Sequence, residues 1–284
     1  MREALRALVG ARAGTLVGAR ACALVGARAC ASLVALALIA AHAHAQDFAS
    51  PARAGTGETP GAFLESALPG ALGARSLEMI AIQWDPRGEM TTRALAACAI
   101  TRGIEWGAGI SSTGDGEIGW NSLALAIGRA ARAHGAGVRV LARRDRAADA
   151  SGARALGAEA GAGFWSRVGA RGKIWASAPM AFAVGEPPPL DRGLETGVSL
   201  SGPAFSAWAL WSAPAGAVDA AEHGLGLACE SGALSLWAEA RSRPLRAAIA
   251  LRARRGDFTV TARVDEHPVL GETVRFSLGV GAPP

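Results

Sequence analysis

Residues able to do acid–base, nucleophilic or metal chemistry are thinly spread along this chain. His134, His223 and His267 sit in three different turns or loops. None has an acidic and a Ser or Cys partner at a spacing that would build a triad or a metal site. No G-x-S-x-G, H-E-x-x-H, C-x-x-C, P-loop or dinucleotide fingerprint occurs after residue 46. The stretch "GISSTGDGEIG" is acidic and flexible in composition, but it lacks the regular ligand spacing of a Ca²⁺ loop. The expectation is a chain with no catalytic residue, no metal and no cofactor, and therefore no enzyme.

What does recur is charge on one side of short alternating segments. Leu234, Leu236 and Ala238 oppose Ser235, Glu239 and Arg241, and Val260, Ala262 and Val264 oppose Thr259, Thr261 and Arg263. In "TVRFSLGVG", residues 273–281, Val274, Phe276, Leu278 and Val280 share one parity, against Thr273, Arg275, Ser277 and Gly279. Successive side chains of a strand point to opposite faces, so each segment is a strand with one apolar and one polar side. A soluble sandwich would turn the apolar side to a core, whereas a membrane barrel would turn it to lipid.

Strand length and connection length favour the barrel. Fourteen candidate strands run through about residues 76–281, with twelve as the alternative count. Most are 8–12 residues, close to the ~9–11 needed to cross a bilayer obliquely and longer than the ~5–6 usual in soluble sheets. Their connections alternate: "TRG", "HGAG", "GARG", "GP", "SGA" and "RRGD" are short, and the intervening ones are longer. "RSRPLR" is the least extended of the long set. Outer-membrane barrels alternate in this way, with tight periplasmic turns and longer outer loops. The predicted fold is an all-β, transmembrane, antiparallel up-and-down barrel, with both termini periplasmic after cleavage of a leader.

If the apolar parity meets lipid, the charged parity lines the lumen. The candidate lumen residues are Glu105, Arg139, Arg143, Glu159, Arg167, Glu195, Glu230, Glu239, Arg241, Arg252, Arg263 and Arg275. Arg129 and Arg132 fall on opposite parities of one predicted strand, so one points to lipid unless a bulge at Gly128 shifts the phase. Seven tryptophans are candidate interface or lumen aromatics. Trp84, Trp120 and Trp211 lie near long loops, and Trp106, Trp165, Trp175 and Trp237 near short turns. Trp165, Trp175 and Trp237 share the charged parity, which leaves them to line an apolar ligand path or to pack against the N-terminal segment.

The rest of the chain fits export. The first 46 residues hold five Arg and one Glu, leaving 24 basic and 23 acidic residues, so the balance of +5 is mostly a property of the N-terminus. A balanced remainder without a basic, aromatic-framed cluster gives no support to nucleic-acid binding. An apolar run from about Ala31 to Ala41 precedes Ala43-His44-Ala45, which fits a signal peptide cleaved near Gln46. Upstream, "LVGARAGT", "LVGARACA" and "LVGARACA" repeat a unit too short to stack as a structural repeat. Val25 as initiator would leave a leader of ordinary length. Cys98 and Cys229 are read as isolated thiols. Residues 46–75 form an extended segment with a helical turn around 62–68, and the barrel occupies 76–284.

The leader, the run of amphipathic strands and the late hairpin "DEHPVLGETVRFSLGVG" resemble outer-membrane barrels of the long-chain fatty-acid transporter and PorV-like group. That resemblance implies a barrel in outer-membrane lipid, with residues 46–75 as the counterpart of a plug. Its function would be a channel, an uptake pore for a small or apolar solute, or a scaffold for a secretion-complex partner. A secreted or periplasmic β-rich binding protein and a membrane-embedded hydrolase are the other two readings.

Overall fold

The computed structural model describes residues 56, 58–70, 75–84, 87–88, 90–114, 119–145, 156–185, 193–213, 221–242, 245–267 and 271–281. The expected leader, residues 1–45, and its cleavage site lie outside them. The elements are α1 (Pro60–Ser66), β1 (Arg75–Gln83), β2 (Thr91–Thr101), β3 (Ile104–Gly114), β4 (Gly119–Ala130) and β5 (His134–Asp145). Next come β6 (Leu156–Val168), β7 (Gly172–Gly185), β8 (Leu194–Ser201), β9 (Phe205–Ala213) and β10 (Glu222–Ser231). The last four are β11 (Leu234–Arg241), β12 (Arg246–Arg255), β13 (Phe258–His267) and β14 (Gly271–Gly281). Each strand pairs with its chain neighbour and β1 pairs antiparallel with β14, so the sheet is a closed barrel without edges. All fourteen strands expected from the sequence are present, and the soluble sandwich is not the fold.

Burial in this barrel is inverted relative to a soluble protein. Leu95, Ile110, Leu125, Val140, Leu236 and Leu251 are all exposed on the outer face, while Glu78, Glu105, Arg139, Glu159 and Glu239 are no more than 3% exposed inside. Period-two alternation explains it, because a closed sheet sends one parity of every strand outward and the other inward.

Boundaries shift where a residue was read for its turn propensity. The short connection after β4 is 131–133, not "HGAG", because Gly135 and Gly137 belong to β5. They are glycines for space. A Cβ on Gly135 would stand 2.4 Å from the Trp165 indole nitrogen, and one on Gly137 would stand 2.5 Å from the Ala67 carbonyl oxygen. On the other side, strands β3 and β4 extend to leave only 115–118 between them, and 242–245 and 268–270 are equally brief. The alternation of connection lengths is therefore weaker than the sequence suggested. The one register shift among the described strand pairs lies between Ala160 and Ala162 of β6 against β7, and none occurs at Gly128. Arg129 points outward next to the end of β4, and Arg132 lies in the turn beyond it.

Inside the barrel sits α1, the helical turn expected two residues further on. Thr59 caps it by accepting a hydrogen bond from the Ala62 amide at 3.2 Å, and Pro60 occupies the first turn, where its missing N–H costs nothing. Ala67 then ends the helix in the left-handed region, its amide donating to the Phe63 carbonyl at 2.8 Å. Seven residues are too few for a helix to persist alone. Packing holds it: Phe63 and Leu64 are wholly buried against Ile80, Ile82, Trp84, Ala96, Ala124 and Leu141 of the inner wall. Each such side chain contributes about 1.5–3 kcal/mol.

The wall is shaped for the segment. Gly128, Gly137 and Gly163 are direct cross-strand partners on β4, β5 and β6, and they form a row under residues 66–69. A Cβ on Gly128 would come within 2.8 Å of Pro69, and one on Gly163 within 2.5 Å of the Ser66 carbonyl oxygen. Without side chains there, the backbone of the segment lies directly on the sheet. Gly137→Ala is therefore expected to loosen the segment, seen as faster proteolysis between residues 56 and 70 and a lower unfolding midpoint. Gly279→Ala has no heavy atom closer than 3.8 Å to the new methyl and leaves both unchanged.

Candidate functional site in the barrel interior

The twelve charged residues singled out from the sequence all fall on the inward parity of their strands. Ten are buried or half-buried within the barrel, and Arg167 and Glu230 are exposed at the short-turn rim. The structure divides the ten into two groups with different work.

The first group lies around the N-terminal segment, and Glu105 and Arg139 bond to its backbone. Glu105 on β3 accepts from the Gly70 amide at 2.7 Å. Arg139 on β5 donates to the Leu64 carbonyl at 3.1 Å and pairs with Glu159 on β6. Arg143, four residues on, lies 3.8 Å from the centroid of the Trp120 ring and 3.8 Å from an Asp145 oxygen. Arg252 on β12 meets Glu58 at 2.8 Å. Three further wall residues complete the seat. Glu78 accepts from the Gly61 amide at 2.9 Å, Ser177 donates to the Ser66 carbonyl at 2.7 Å, and Trp165 Nε1 donates to the Pro69 carbonyl at 2.6 Å. Polar groups of the segment that would lose water inside the barrel are thus matched by wall groups of the opposite kind.

The second group is a chain of ions alternating in sign. Glu195 on β8 meets Arg241 on β11 at 3.4 Å, and Arg241 meets Glu239 at 2.7 Å. Glu239 lies 3.9 Å from Arg263 on β13, Arg263 2.7 Å from Asp265, and Asp265 3.0 Å from Arg275 on β14. Three acids and three arginines leave this chain neutral. Arg263 and Arg275 are direct cross-strand partners, an arrangement that repels by itself, and Asp265 between them reverses the sign. Near its end, Glu222 on β10 pairs with Arg246 on β12.

Tryptophans fill much of the remaining interior. Trp165, Trp175, Trp208 and Trp237 cluster with Leu68 and Leu210, and all four indoles are buried. Trp208 Nε1 donates to Glu239 at 3.0 Å, which ties the aromatic cluster to the ion chain. Lys173 and Arg252 lie 5.1 and 5.0 Å from the ring centroids of Trp165 and Trp237, within cation–π range. Trp165, of the three tryptophans on the charged parity, bonds directly to the N-terminal segment. Trp84 and Trp120 do not belong to an outer girdle: both project inward, Trp84 fully buried with Nε1 on the Thr92 hydroxyl at 2.7 Å. Only Trp106 and Trp211 face outward.

The lumen residues taken from the sequence leave out Glu58, Glu78, Ser177, Trp208 and Glu222, and also Arg246 and Asp265, although both share the polar parity of their strands. Trp208 shares its parity with Ser206 and Ser212, so a stricter reading of alternation finds it. Glu78 stands in line with Ile80 and Ile82, and that apolar company hides it.

No protein-family model and no curated protein matches this chain. Among solved structures it is similar to engineered variants of the Rhodopseudomonas blastica porin. Two of them share 8% identity, cover 73% of this chain and 98% of their own, and give TM-scores of 0.41 and 0.40. Similarity at that level says nothing about what this chain binds or passes.

Asp265 is the joint of the ion chain, so Asp265→Ala leaves two facing arginines in the interior with no acid between them. Loss of one partner of a buried pair costs about 3–5 kcal/mol. The measured unfolding midpoint in detergent or lipid should fall accordingly, whereas Arg167→Ala at the rim leaves it in place.

Proposed function

We propose that this chain is a non-enzymatic outer-membrane β-barrel of a Gram-negative bacterium, a channel held shut by its own N-terminal segment. The single observation that carries the membrane reading is the inverted burial: large apolar side chains cover the outside of a closed sheet whose charges are inside. An exposed apolar surface of that extent needs a partner, and lipid matches it on every strand at once. Closure also satisfies the backbone without water, which a spanning structure requires.

Occlusion is supported by the seat of residues 58–70: a glycine row under the backbone, donors and acceptors matched to it, and Phe63 and Leu64 against the inner wall. In this reading residues 46–75 are the plug, residues 1–45 are a cleaved leader, and both termini of the mature chain face the periplasm. Arg75 and Gly281 support that orientation by lying at the short-turn end, where Ser76 and Gly281 are partners. Solute passage requires the plug to shift. A small solute fits this reading better than a secretion-complex partner, and membership of the fatty-acid transporter and PorV-like group rests on the final hairpin and strand texture alone.

Planar-bilayer recording tests the proposal. The intact mature chain should insert and stay almost silent, and a variant lacking residues 56–70 should conduct in steady steps. Failure of both to insert would contradict the membrane reading. Silence of both after insertion would replace the channel by a scaffold, and equal conductance of both would remove the plug.

A further inference from the structure

The outer face is apolar along most of its height, but one row on β2–β5 is not. Arg93 faces Ser112, Ser112 faces Asn121, and Asn121 faces Arg144, so these four side chains run in register across four strands. All lie on the outward parity near the long-loop end, with Arg93, Asn121 and Arg144 exposed and Ser112 half-buried. Two residues nearer the short turns the corresponding row is Leu95, Ile110, Leu123 and Ala142. The change from apolar to polar thus occurs within about 7 Å along the strands. No acidic partner for Arg93 or Arg144 lies among the described residues.

We propose that this row binds the phosphorylated sugar headgroup of a glycolipid in the leaflet on the long-loop side. The inference rests on the membrane reading above. Three interstrand steps of about 4.8 Å separate β2 from β5, placing the two arginines about 14 Å apart. That span suits a headgroup with two separated phosphates, one at each guanidinium, with sugar hydroxyls between them at Ser112 and Asn121. Acyl chains would continue down over Leu95, Ile110 and Leu123. At the same end of the barrel Glu266 and Glu272 face each other outward on β13 and β14, a pair that repels an anion there.

Native mass spectrometry of the full mature chain, folded in detergent with bisphosphorylated lipid A, tests this. The intact protein should retain one lipid A, and the double variant Arg93→Gln, Arg144→Gln should retain it about thirtyfold more weakly. A control pair at the opposite end, Arg129→Gln with Arg255→Gln, should retain it like the parent. Heat-modifiable migration, followed in every sample, reports barrel formation separately from lipid retention. The unmutated protein gives a second test: dephosphorylated lipid A should be held as weakly as by the double variant. Equal retention of the two lipids by the parent, or equal losses in the two double variants, would overturn the proposal.

Discussion

Everything in this structure follows from where a closed sheet puts its charges. Alternation offers each strand two faces, closure makes one of them interior for all fourteen strands, and the charged parity is the interior one. An ion removed from bulk water on the inner wall must find an opposite charge or a hydrogen-bond partner nearby. The ion chain from Glu195 to Arg275 answers that demand on one side of the barrel. On the other side the demand is met by a backbone, that of residues 61–70, whose amides and carbonyls bond to Glu78, Glu105, Arg139, Trp165 and Ser177.

The two halves solve one packing problem differently. Fourteen strands enclose more space than their own side chains fill when many of those are Gly and Ala. Along β3–β6 small residues leave room for α1 and the stretch after it, while along β7–β11 three indoles, Trp175, Trp208 and Trp237, occupy the space. Trp208 lies over Gly226 and Trp175 over Gly197, where a Cβ would come within 2.0 and 2.2 Å of the rings. Glycine on the inner wall is therefore a mark of close approach in both halves, by the segment and Trp165 in one and by Trp175 and Trp208 in the other.

Much of this was legible in the amino-acid order, and the unread part has a common cause. Strand number, the inward parity of the charged residues and the existence of a helical turn in the N-terminal segment depend on neighbours in sequence. The glycine row depends on register: Gly128, Gly137 and Gly163 are remote in sequence and become adjacent only when β4, β5 and β6 pair. Read one at a time, such glycines look like turn signals, which is how Gly135 and Gly137 were misplaced. Trp84 and Trp120 mislead for a related reason, since proximity to a loop fixes height along the barrel and says nothing of inside or outside.

The central claim is that the apolar parity faces lipid, and β12 offers the most direct test. Spin labels placed singly at residues 247–254 in the vesicle-reconstituted protein report accessibility to oxygen, which partitions into the bilayer, and to a water-soluble nickel complex. The account predicts a period of two, with oxygen accessibility maximal at 247, 249, 251 and 253. Flat profiles, or strong nickel accessibility at Ile249 and Leu251, would contradict it.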